Sequence, residues 1–135
     1  MSRDLRGAVL YVLAAFGAGF LLGPMREFLL VPIMGRLLAL FVELPLLLGF
    51  CGWVAPRIIR RCGVPPGGAR LRMGFAALAL LLTLEFFTGV ALRGWDLRGW
   101  AADFATLPGL LTLLAYLVFA LLPRWAGAAI DTPRR

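Results

Sequence analysis

Two glutamates, Glu43 and Glu85, interrupt runs of residues that otherwise carry no charge. A carboxyl inside an apolar stretch can bind a cation, hold or pass a proton, or pair with an arginine, and each role needs partners at the same depth. Glu43 falls seven residues beyond Arg36 and Glu85 eight before Arg93. At about 1.5 Å per helical residue, both sit about 10–12 Å below one surface. Thr112, six residues into the last apolar run, comes down to about 9 Å by the same rise.

Other polar groups gather around this level. Thr88 and Gly89 follow Glu85 by one helical turn, and Thr106, Gly109, Thr112 and Tyr116 form a stripe on the last run. Hydrocarbon offers them no partners, so they are expected to turn inward and meet. Arg26 ends the first run on the same side, and its long side chain reaches downward, making it the expected counter-ion of one carboxylate. The other glutamate is then left to take up a proton or small cation. Pro45, two residues past Glu43, frees a backbone carbonyl at the level of that acid. The plain alternative is that acid, arginine and threonines only fasten helices together, each Thr bonding to its own backbone.

Much other chemistry is excluded by residue type. The chain has no His, Lys, Asn or Gln, and Ser2 is its single serine. Bis-histidine haem, histidine-bearing zinc sites, lysine Schiff bases and a serine nucleophile within the apolar runs are therefore ruled out. Asp4, Asp96, Asp103 and Asp131 all lie outside those runs, which argues against an intramembrane aspartyl protease. The chain is not expected to be an enzyme or to hold a cofactor. Cys51 and Cys62 make no CxxC pair and are read as small apolar side chains near the cytoplasmic face.

The elements that must position the cluster follow from the apolar pattern. Of 135 residues, 61% are hydrophobic and 16% charged, with a mean hydropathy of +0.90. A soluble domain has about half its residues apolar and about a quarter charged. Four apolar runs, at about 7–23, 37–55, 73–92 and 106–122, each approach the roughly 20 residues a spanning helix needs. The fold expected over 1–135 is one all-α domain, an integral membrane four-helix bundle with a short interfacial amphipathic helix on its outer side. The first run also resembles a secretory signal, with Arg3 and Arg6 ahead of an apolar stretch, but is read as a span.

All 14 basic residues are arginine. Ten (Arg3, Arg6, Arg57, Arg60, Arg61, Arg70, Arg72, Arg124, Arg134 and Arg135) fall on one side of the runs, and Arg26, Arg36, Arg93 and Arg98 on the other. Positive residues stay inside, so both termini are expected in the cytoplasm. Trp53, Trp95, Trp100 and Trp125 all fall at expected interfaces. The net charge of +7 forms no single basic face, so the lipid bilayer rather than nucleic acid is the expected partner.

Between the runs, Leu97, Trp100, Ala101 and Phe104 share one helical face opposite Asp96, Arg98 and Asp103, which predicts the amphipathic helix, with Asp96 near its N-cap. Residues 25–36, apolar but holding Pro32 and Gly35, are expected to lie flat in the interface or dip into the bilayer. Val64-Pro65-Pro66-Gly67-Gly68 marks the break between two helical hairpins. Ala15, Gly19 and Gly23 recur every four residues on the first run and predict close helix packing, within the bundle or in a homo-oligomer.

The stretch from Leu22-Gly23-Pro24-Met25-Arg26-Glu27 through Pro32, then Gly35-Arg36 and Glu43-Leu44-Pro45-Leu46, resembles a group of small four-span bacterial inner-membrane proteins. The resemblance implies a shared architecture in the bacterial inner membrane and points to Arg26, Glu43 and Pro45. It implies no substrate, cofactor or reaction. The leading expectation is a transporter- or channel-like protein whose Arg26, Glu43, Glu85, Thr88, Thr112 and Tyr116 handle a proton or small cation. The alternative is a non-catalytic membrane subunit or assembly protein whose charged cluster is structural; an intramembrane enzyme comes third.

Overall fold

A computed structural model of the chain describes residues 2–94 and 96–131. Trp95, Arg134 and Arg135, which enter the expectations above, lie outside the described residues. Among those described, every element is helical: α1 (Arg3–Met25), a π-helical turn (Arg26–Leu30), α2 (Val31–Cys62), α3 (Gly68–Arg93), α4 (Leu97–Asp103) and α5 (Leu107–Asp131). Three helical stretches are long and apolar enough to cross a membrane: Arg3–Cys62, Gly68–Arg93 and Leu107–Ala128.

The first of these folds back on itself. Gly35 has φ 82° and ψ 167°, a backbone conformation that a side chain strongly disfavours. The helical path breaks there and α2 returns along α1, against which it packs. This gives the local structure of residues 25–36. Residues 26–34 continue α1 as helix, and the non-helical backbone is confined to Gly35.

Pro24 and Pro32 read as helix breaks in the sequence, yet both sit within helical backbone. A proline removes one N–H and crowds the carbonyl four residues back. The π-turn between the two prolines absorbs this by shifting the bonding register: the Val31 N–H donates to the Arg26 carbonyl, five residues back. The shift falls on Arg26 itself.

Around the bundle, α1 packs against α2 and α3, and α5 packs against the same two helices. Thus α1 and α5 face each other across one diagonal, and the turn after Cys62 carries the chain across the other. One end, holding the start of α1, the end of α5 and the 63–67 turn, is closed by small side chains. Ala8, Ala15, Ala55, Ala69 and Ala77 are buried there among Ile59, Met73 and Phe119. At Gly74 the helices α3 and α5 touch backbone to backbone, and a Cβ there would overlap the Ala120 carbonyl. The opposite end, with the Gly35 turn and α4, stays open.

Candidate functional site

Between the four long helices lies a cavity of about 720 Å³, floored by Ala15, Cys51, Leu81 and Phe119. Arg36, Arg93 and Asp103 line it at the other end, where Arg36 and Asp103 are half exposed. The chamber is therefore blind at the closed end and opens at the end bearing α4. Cys51 sits on the floor, within the buried cluster of the closed end; both cysteines are buried free thiols.

Glu43 and Glu85 both line this chamber. Arg26 Nη1 donates to Glu43 Oε2 at 2.7 Å, and the Glu43 side chain is only 8% exposed. The π-turn and the Gly35 reversal produce the pair together, since Arg26 lies nine residues before the glycine and Glu43 eight after it. Arg26 Nη2 also donates to Glu27 Oε1 at 3.1 Å, so Glu27 joins the cluster at its exposed edge. Arg26 Nε is buried without a hydrogen-bond partner among the described residues.

Glu85 is held differently. The Tyr116 hydroxyl, on the facing helix α5, donates to Glu85 Oε2. No arginine of the described residues lies within ion-pairing distance of Glu85, although Glu43, Arg26 and Arg93 act on it electrostatically through the chamber. The two acids thus have unlike partners: a guanidinium for Glu43 and a neutral phenol for Glu85. Tyr116 is also in edge contact with Phe104, which continues through Trp100 to Phe86 and builds an aromatic wall between α3, α4 and α5.

Thr88 and Thr112 line the same chamber, but the Thr112 hydroxyl donates to the Pro108 carbonyl one turn back on its own helix at 2.9 Å. Thr106 is also used locally: its hydroxyl donates to the Asp103 carbonyl at 2.6 Å and accepts from the Gly109 N–H at 3.1 Å, capping α5. The expected amphipathic helix is α4, with Asp96 capping it by accepting from the Gly99 N–H at 2.8 Å. Its Trp100 and Phe104 pack inward, whereas Leu97 faces out.

The expected packing residues fall in different surroundings. Ala15 is buried in the core, but a Cβ built on Gly19 or Gly23 meets nothing within 4 Å. Both glycines line the chamber, so that part of the stripe makes room rather than contact. Pro45, also expected to take part in helix packing, is exposed on α2.

Sequence reasoning missed the rim and the floor. At the rim Arg36 Nη2 meets both Asp103 oxygens, at 3.2 and 2.9 Å, tying α2 to α4. At the floor the Tyr11 hydroxyl donates to the Phe119 carbonyl at 2.8 Å while the two rings stack at 4.4 Å. The readable signal was Pro123, which sits four residues after Phe119 and cannot donate to its carbonyl. Among the described residues no group of three or more His, Cys, Asp or Glu side chains could hold a metal ion.

No family model, curated protein or solved structure matches this chain.

Proposed function

We propose that this is a four-span bacterial inner-membrane protein with both ends of the chain in the cytoplasm, in which the chamber opens outward and handles a proton or small cation in a transporter- or channel-like way. The carrying observation is that Glu43 and Glu85 line one open chamber while a single arginine, Arg26, bonds only the first of them. A solitary carboxyl in an apolar surround is costly, and a site reached from outside gives it an exchangeable partner. Orientation is supported by charge: among the described residues eight arginines and two aspartates belong to the closed end, against four arginines and five acids at the open end. The shut floor favours a carrier over a standing pore.

Reconstituted into liposomes holding a pH-sensitive dye, the protein should speed the decay of an imposed proton gradient. Glu85→Gln should abolish this while circular dichroism stays helical. No acceleration by the parent protein, or none lost in Glu85→Gln, overturns the proposal. The complete Arg26–Glu43 pair and the locally bonded Thr112 favour the other reading, a non-catalytic subunit with a structural cluster. In that case Glu85→Gln lowers thermal stability in detergent and leaves the gradient untouched.

A further inference from the structure

The chamber is far larger than a proton or inorganic ion requires, and its composition changes with depth. A water molecule takes about 30 Å³ of liquid volume, so about 720 Å³ corresponds to a sizeable organic molecule and falls within the roughly 300–1,000 Å³ of small-molecule sites. Its deep part is walled by Phe16, Leu48, Leu81 and Phe119, which offer nothing to a hydrated ion. The polar atoms form one layer above that floor, at Glu43, Arg26, Glu85 and Tyr116.

Charge along the wall selects the sign of the guest. Arg36 is held by Asp103 and Arg26 is shared between Glu43 and Glu27. Glu85 is bonded by the Tyr116 hydroxyl, and with Arg93 included the chamber lining carries three arginines against four acids, an excess of one negative charge. A guest cation beside Glu85 would also lie against the rings of Tyr116 and Phe104, whose faces attract positive charge. The glycines at 19 and 23 leave the space beside α1 that a bulky body needs.

We propose that the chamber binds an amphiphilic organic monocation, with the charged group between Glu85 and the Tyr116–Phe104 rings and the apolar body on the floor of Phe16, Leu48 and Leu81. This rests on the reading above that the site serves cations, and it names their class. Burial of the apolar body supplies affinity, and the Glu85 carboxylate supplies charge selectivity.

The test uses the full chain purified in detergent, with tetraphenylphosphonium and tetraphenylborate as probes of nearly equal shape and opposite charge. Equilibrium dialysis should show saturable phosphonium binding at least tenfold tighter than borate binding. Glu85→Gln should weaken phosphonium binding at least tenfold and narrow that ratio. Gly19→Phe, which fills the chamber without touching a charge, should weaken both probes together. Borate binding as tight as phosphonium, or phosphonium binding indifferent to both substitutions, overturns the proposal. The two readings fail separately. Proton-gradient decay that depends on Glu85 without saturable phosphonium binding sinks this one alone; phosphonium binding without any gradient decay sinks the transport reading alone.

Discussion

The hydroxyl of Tyr11 bonds the main-chain carbonyl of Phe119 at 2.8 Å across the diagonal of the bundle. The carbonyl is available because Pro123, four residues further along α5 and fully buried, has no N–H to offer it. Thus α1 supplies the bond that α5 cannot make for itself, and the stacked rings close the chamber floor one turn beyond Tyr116. A sequence defect in one helix becomes the tie that holds two non-neighbouring helices together.

Tyr11→Phe keeps the stack and removes the tie, leaving a buried carbonyl unpaired. The expected loss is about 1–3 kcal/mol of unfolding free energy, measured by denaturation in mixed micelles. In a Pro123→Ala background the new N–H reaches the carbonyl, so Tyr11→Phe should there cost under about 1 kcal/mol. Equal costs in both backgrounds would remove Pro123 from the explanation.

Two glycines of similar helical setting should answer oppositely to alanine. At Gly74 a Cβ overlaps the Ala120 carbonyl, so Gly74→Ala must push α3 from α5 and should cost about 1–3 kcal/mol or more. At Gly19 the added atom meets open chamber, so Gly19→Ala should be neutral or stabilising by up to about 1 kcal/mol. Melting temperatures in detergent distinguish the two; a destabilised Gly19→Ala would deny the chamber its space.

The long helices and an ion pair between Arg26 and one of the two glutamates were legible in the sequence because depth counting needs only the helical rise and the positions of charged residues, but that the partner is Glu43 was not. Also legible was α4, whose Asp96 cap and aromatic face are local signals. The turn at Gly35 was not, because Pro24 and Pro32 carry the usual signs of a break while the π-turn lets the helix run through both. The role of Gly19 and Gly23 was hidden for a different reason: small residues at helical spacing describe contact and cavity alike, and only the neighbouring helices decide. Tyr116 was placed in the polar layer by its stripe, but its pairing with Glu85 rather than with backbone depends on the packing of α3 on α5.

At the closed end, Asp4 accepts from Arg72 Nε at 2.9 Å, joining the first turns of α1 and α3. The Ser2 hydroxyl and then the Arg72 guanidinium hold the Asp4 carboxyl below its ordinary 3.8, down to about 2. The folded value lies below the unfolded one, so the stabilisation is complete above the ordinary value and disappears as pH falls towards 2. The pair is exposed and its contribution small. Between pH 5 and pH 2 the parent protein should therefore lose more melting temperature than Asp4→Asn. Parallel curves for the two proteins would mean that the pair contributes nothing to folding.

The Arg26–Glu43 pair calls for a full cycle of substitutions, because removing either partner strands the other. Glu43 is nearly buried and has Arg26 as its ion-pair partner among the described residues, so Arg26→Met leaves a carboxylate in an apolar wall. Each single change, Arg26→Met or Glu43→Leu, should cost about 3–5 kcal/mol, as for other buried pairs broken on one side. The double variant should cost distinctly less than the sum and could approach the parent, since matched apolar side chains refill the space. Detergent unfolding of all four proteins gives the coupling. Additive costs would show that the π-turn and the Gly35 reversal do not bring the two side chains into contact, which removes the geometric basis for one acid neutralised and the other left to a guest.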